Sequence, residues 1–215
     1  MIIPAILVNN FSDFEEQAKK LSFAPLIQID VMDGSFVDNI SFTEIEKING
    51  LNLTTGWELH LMVQHPLEEI TKWANVKNIK RAIFHIEGED NPLSTINAIK
   101  QNGWEAGIAL NPDTSERELL PYISSLDIAL FMTVYPGQQG APFVPEVQEK
   151  IVNFRKTLES KETELTIAVD GAVNKNNILE IKNWGVNNFC VGGAISRATD
   201  PKAAYEELTN LTDYV

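Results

Sequence analysis

Cysteine is almost absent from this chain of 215 residues. The single one, Cys190, excludes an internal disulfide framework and fits a reducing compartment. It sits in the apolar run Phe189-Cys190-Val191, where a core role is expected rather than a nucleophile. Long hydrophobic runs are also missing: none approaches the roughly 20 residues of a membrane helix. Met1-Ile2-Ile3-Pro4-Ala5-Ile6-Leu7-Val8 lacks the basic flank of a signal peptide and reads as a first strand. Positive charge is scarce, with 17 Lys and Arg against 30 Asp and Glu, for a net charge of −13. This argues against nucleic acid or an anionic membrane as partner. A small anionic substrate stays possible, because backbone amides bind phosphate without Lys or Arg. No Pro/Gly/Ser linker, charge block or low-complexity stretch divides the chain, so residues 1–215 are expected to form one domain, cytoplasmic in location.

What is present is an alternation. Strand-like apolar runs lie near 2–7, 26–31, 57–62, 81–86, 105–110, 127–133, 165–169 and 187–191. Helical patterns lie between them near 12–20, 42–49, 67–75, 92–101, 115–123, 145–160, 174–184 and 200–211. Eight β-then-α units predict an α/β fold, a closed (β/α)8 TIM barrel. An open doubly wound sheet would carry a phosphate glycine loop after its first strand, and Val8-Asn9-Asn10-Phe11 is not one. Ser12 is expected to cap the first helix through Ser12-Asp13-Phe14-Glu15, and Asn91-Pro92 and Asp200-Pro201 to open two others.

Two aspartates close apolar runs and precede glycine turns: Asp30 in Ile29-Asp30-Val31-Met32-Asp33-Gly34, and Asp170 in Val169-Asp170-Gly171. A barrel presents catalytic groups from such strand ends, and two carboxylates can serve as acid and base on one substrate. Each aspartate can also simply cap a helix or shape its turn. Period two places Gln28, Asp30 and Met32 on one face, and Glu58, His60 and Met62 on another. It does the same for Leu130 with Met132 and for Ala168 with Asp170. Asp30, His60 and Asp170 would then converge, lined by Met32, Met62 and Met132, as a divalent-metal site or a self-satisfied polar cluster. His85 either supports that site or is a hydrogen-bonded core histidine, and His65 is expected at the surface or as a cap. Gly137 and Gly140 follow the sixth strand, Gly171 the seventh, Gly192 and Gly193 the eighth. Barrels often bind phosphate in the loops after strands seven and eight, although Gly-Gly can be merely a tight turn.

Asp30-Val31-Met32-Asp33-Gly34-Ser35-Phe36-Val37, His60-Leu61-Met62-Val63, Phe84-His85-Ile86-Glu87, Ala109-Leu110-Asn111-Pro112, Met132-Thr133-Val134-Tyr135-Pro136-Gly137 and Val169-Asp170-Gly171-Ala172-Val173 resemble, in order, the signatures of ribulose-phosphate 3-epimerases. The resemblance implies interconversion of D-ribulose 5-phosphate and D-xylulose 5-phosphate through a cis-enediolate, within pentose phosphate metabolism. It implies Asp30 and Asp170 as the acid/base pair, and a divalent metal (Zn, or Mn, Mg or Fe) on Asp30, His60 and Asp170. It places phosphate near Gly137, Gly140, Gly171, Ala172, Gly192 and Gly193, and implies a homo-oligomer.

The chain departs from the family pattern at several places. Gln28 stands where a second histidine ligand is expected, so the site is expected to bind a metal more weakly, to prefer a harder cation, or to work without one. Ala5 replaces a serine, Ala172 a glycine and Gly193 a serine, and the lid loop, usually Pro-Gly-Phe-Gly-Gly, is Pro136-Gly137-Gln138-Gln139-Gly140, without its aromatic residue. Two alternatives follow: a phosphosugar-binding homologue without turnover, or an epimerase for a ketohexose 6-phosphate such as allulose 6-phosphate. Orotidine-phosphate-decarboxylase chemistry is disfavoured, because Met32 occupies the place of its lysine.

Overall fold

A computed structural model describes residues 1–137 and 140–213. Eight parallel strands close into a barrel in sequence order, β1 pairing with β8. They are β1 (Ile2–Ile6), β2 (Leu26–Met32), β3 (Gly56–Met62), β4 (Ile79–His85), β5 (Glu105–Leu110), β6 (Ile128–Met132), β7 (Thr166–Asp170) and β8 (Asn188–Val191). Covered outside by helices and filled inside by their own side chains, these strands are buried on both faces. That is why they read as near-continuous apolar runs rather than alternating ones.

The α-helices are α1 (Phe11–Leu21), α2 (Pro66–Trp73), α3 (Pro92–Gln101), α4 (Val147–Ser160), α5 (Ile178–Asn183), α6 (Gly193–Ser196) and α7 (Pro201–Asp213). The crossovers after β2 and β5 differ from expectation. The first is a 3-10 helix, Ile45–Leu51, whose apolar residues Ile45, Ile48 and Leu51 recur every three residues, the period of that helix. The second breaks into two short 3-10 turns, Glu116–Leu119 and Ile123–Ser125, with Pro121 removing the amide that would join them. Asn10, not Ser12, caps α1: its Oδ1 accepts from the Asp13 amide at 2.9 Å, and its Nδ2 donates back to Asp13. Asn91 and Asp200 do cap α3 and α7, accepting from the Ser94 and Ala203 amides.

The barrel interior is only partly apolar. Ile3, Ile83, Ala109, Ile128, Leu130, Ala168 and Cys190 pack one cluster there. Gly107 leaves the room, since a Cβ on it would meet Ile128 Cγ2 at 2.5 Å and Ile83 Cγ1 at 2.8 Å. Beside this cluster, Glu58 is fully buried and paired with Arg81, Nη1 to Oε2 at 2.7 Å. A register irregularity creates the pair: Trp57 lies opposite Ile79, but Glu58 lies opposite Arg81, skipping Lys80. One residue of slip exchanges the faces of a strand, so this bulge turns Arg81 inward.

The segment after β2 is tied down by Asp33. Its carboxylate accepts from the amides of Ser35 (2.8 Å), Phe36 (2.9 Å) and Gln64 (2.7 Å). Partial burial works to raise its pKa, but these amide bonds outweigh it and hold the pKa below the usual value. A lowered folded pKa stabilises the protein above the unfolded value of 3.8, and the gain is lost as pH falls through the folded one. Asp33→Asn is therefore expected to be less stable than the parent in urea at pH 7, with the gap closing below about pH 4. A gap that stays constant with pH would contradict this.

Candidate active site

Strand register assembles the site at the C-terminal end of the barrel. Asp30 pairs with His60 across β2 and β3, and Met132 with Asp170 across β6 and β7. Inward side chains then meet at the centre. The His60 Nδ1 lies 3.0 Å from Asp30 Oδ1 and 3.2 Å from Asp170 Oδ2. Gln28, fully buried one inward position below Asp30, donates through Nε2 to both carboxylates, at 2.8 Å to Asp30 and 2.6 Å to Asp170. Two nitrogens thus each bridge the same two carboxylates.

The hydrogen bonds behind His60 define its protons. His60 Nε2 meets His85 Nε2 at 2.9 Å, and His85 Nδ1 faces Glu87 Oε2 at 3.2 Å. A carboxylate only accepts, so His85 carries its proton on Nδ1 and accepts at Nε2 from His60. Burial alone would lower the His60 pKa, but its bonds to Asp170 and Asp30 and their charges push it up to about 10. His85 goes the other way, to about 4, through burial and the neighbouring His60 charge, against the pull of Glu87. Asp30 is raised by burial and by the Asp170 charge, while its bonds to His60 and Gln28 pull it down. Glu87 is itself anchored, accepting at Oε1 from the Asn111 amide and the Thr114 hydroxyl. Phe36 packs on the His85 ring, with centroids 4.8 Å apart. His85 is thus a buried, hydrogen-bonded histidine in contact with His60.

Above the carboxylates opens a cavity of about 410 Å³. Asp30, His60, Asp170, Met62 and Met132 line its floor and wall, and so do Gly137, Gly140, Gly171, Ala172, Gly192 and Gly193. Gln28, Met32 and His85 are buried but lie outside that lining. Gly171 has φ +116°, and a Cβ there would strike Val134 at 2.5 Å, so the turn after β7 admits only glycine. Ala172 follows with φ +52°, its carbonyl accepting from the side-chain amides of Asn174 and Asn177. The lid residues Gln138 and Gln139 lie outside the described residues. His65 is at the surface and makes no capping bond. Sequence reasoning passed over Glu87 as an anchor, although it stands in the quoted Phe84-His85-Ile86-Glu87 run, and it missed Arg197 on the cavity wall.

Asp30, His60 and Asp170 form the group, among the described residues, that can hold a metal: one ligand atom from each lies within 4.8 Å of the others. Two carboxylate oxygens and an imidazole nitrogen suit Zn2+, Mn2+, Fe2+ or Mg2+. Gln28 fits as well. Its Oε1 is buried with no hydrogen-bond partner, and rotation of the amide would present that oxygen where the NH2 now points.

The chain matches the family model for the ribulose-phosphate 3 epimerase family over residues 1–196. It is 31% identical to ribulose-phosphate 3-epimerase from Mycobacterium leprae, covering 97% of this chain and 93% of that protein. Against the enzyme of the same name from Escherichia coli K12 the identity is again 31%, over 97% and 94%. The solved structure of 3-hexulose-6-phosphate synthase from Salmonella typhimurium superposes with a TM-score of 0.70, at 14% identity over 98% and 97% of the two chains, which shows a shared fold. On the match along its length and on its relatives, this chain belongs to the ribulose-phosphate 3-epimerase family.

Proposed function

We propose that this protein inverts C3 of a ketopentose 5-phosphate, interconverting D-ribulose 5-phosphate and D-xylulose 5-phosphate. The observation that carries the reading is the pair Asp30 and Asp170: carboxylates from two different strands, bridged by the same nitrogens at the floor of a sugar-sized cavity. One carboxylate takes the C3 proton, which the neighbouring C2 carbonyl acidifies, and leaves a cis-enediolate. The other returns a proton to the opposite face. His60, locked by His85 and Glu87, keeps the carboxylates in register, and Gln28 tethers them from below. A divalent cation on Asp30, His60 and Asp170 would neutralise the charge that develops on the enediolate oxygens. Phosphate would rest against the loops carrying Gly137, Gly140, Gly171, Ala172, Gly192 and Gly193. The family resemblance supports a homo-oligomer, and the lone buried cysteine supports a cytoplasmic location.

The same carboxylates would invert C3 of a ketohexose 6-phosphate such as allulose 6-phosphate. Gln28 favours a second reading, since an amide clamped on both carboxylates suits a binding protein that has lost turnover. Incubation with each sugar phosphate, followed by NMR of the products, separates the three. Xylulose 5-phosphate from ribulose 5-phosphate is expected; binding of both sugars without conversion would overturn the reading.

Gln28→His adds an imidazole where the amide stands. Zinc affinity, read by competition with a chromophoric chelator, is expected to rise by at least about tenfold. An unchanged affinity would mean that position 28 contributes nothing to metal binding.

A further inference from the structure

The eighth strand ends in a glycine pair whose second member makes room for a side chain of this chain's own. Gly193 opens α6, and Arg197 closes it, its amide bonded to the Gly193 carbonyl at 3.2 Å. Residues four apart lie on one face of a helical turn, and helical side chains lean back toward the N-terminus. Arg197 therefore leans over position 193. Any Cβ there would stand 2.5 Å from the guanidinium carbon and 2.9 Å from Nε, and closer still to Nη2. The guanidinium occupies the space that a side chain at 193 would need, beside Gly192 and Gly193 on the cavity wall. Among the described residues lining that cavity, Arg197 is the only lysine or arginine. The chain as a whole carries a net charge of −13, and two carboxylates stand on the cavity floor. His60, the other cationic side chain on the lining, is already bridged by those two carboxylates, so Arg197 is the positive group set on the wall beside the glycine loops.

We propose that Arg197 is a specificity-determining residue that grips the phosphate of the substrate, and that Gly193 is its enabling partner. This rests on the reading of the cavity as a sugar-phosphate site. A planar guanidinium offers paired N–H donors that carry a full positive charge, which backbone amides lack, and that charge discriminates against the unphosphorylated sugar. The pair makes two independent routes to the same loss. Arg197→Gln removes the charge. Gly193→Ser leaves the charge but places a side chain where the guanidinium lies, and the flexible arginine must swing away.

The test combines equilibrium binding of inorganic phosphate, by calorimetry, with steady-state kinetics on ribulose 5-phosphate. Arg197→Gln is expected to weaken phosphate binding and raise KM by about tenfold each, with kcat falling much less. Gly193→Ser should move both in the same direction, and Arg197→Lys should lie between parent and Arg197→Gln, since it keeps charge without the fork. Phosphate affinity and KM unchanged in both Arg197→Gln and Gly193→Ser would overturn the proposal, as would a parent protein that binds no phosphate. If the parent turns over no sugar phosphate but its phosphate affinity still falls in both variants, the assigned reaction fails and the role of Arg197 stands.

Discussion

Asp30→Asn and Asp170→Asn are each expected to lower epimerisation by about 10³–10⁴-fold, the size of a lost general acid or base. The two variants should differ in what they keep. Removing the base for one face leaves the other carboxylate able to exchange the C3 proton of the epimer it faces, without inversion. Each variant should therefore wash deuterium from solvent into one epimer only, and the two should choose opposite epimers. Loss of fold would not explain such a result. Exchange of both epimers by either single variant, followed by proton NMR in D2O, would contradict a division of labour between the two carboxylates.

Arg81→Met is expected to cost about 3–5 kcal/mol of stability, the largest effect away from the cavity. Glu58 has no exposed side-chain surface and its Oε2 takes the Arg81 Nη1, while Arg81 reaches outward to Glu105 through Nε and Nη2. Without Arg81, Glu58 is a buried charge to which, among the described residues, the weak Cys190 thiol donates at 3.6 Å. Burial already pushes the Glu58 pKa up, and Arg81 is what restrains it. With that restraint gone, the folded protein holds the Glu58 proton more tightly than the unfolded chain does, so the penalty grows as pH rises and shrinks as pH falls. Glu58→Met combined with Arg81→Met should recover most of the loss, because apolar packing replaces a buried pair at little cost. Urea denaturation at pH 5 and pH 8 reads both effects. A loss under about 1 kcal/mol at pH 8 in the single variant would show that Glu58 finds solvent or another partner.

The barrel was legible because strands buried on both faces leave unbroken apolar runs, and period two grouped Asp30 with Gln28, His60 with Glu58 and Asp170 with Ala168 on faces that the closed barrel turns inward. Other features depend on contacts that no local pattern carries. The meeting of His60 with His85 joins β3 to β4, whose register is displaced by the irregularity at Trp57 and Glu58. Gln28 read as a poor ligand; its two amide bonds became visible only once β2 and β7 had been brought together. The crossover at Ile45–Leu51 did carry its signal, three apolar residues at a spacing of three, but a charged amphipathic stretch masked it as an α-helix. Arg197 was hidden for a different reason: its signal is the absence of a side chain four residues earlier.

The most direct test of the two-carboxylate assignment is the isotopic content of C3 after one pass of the parent enzyme over ribulose 5-phosphate in D2O. Abstraction by one aspartate and return by the other predicts xylulose 5-phosphate with deuterium at C3 in every molecule formed. Xylulose 5-phosphate that keeps the original C3 hydrogen would mean a single group carries the same proton across, and would contradict the roles given to Asp30 and Asp170.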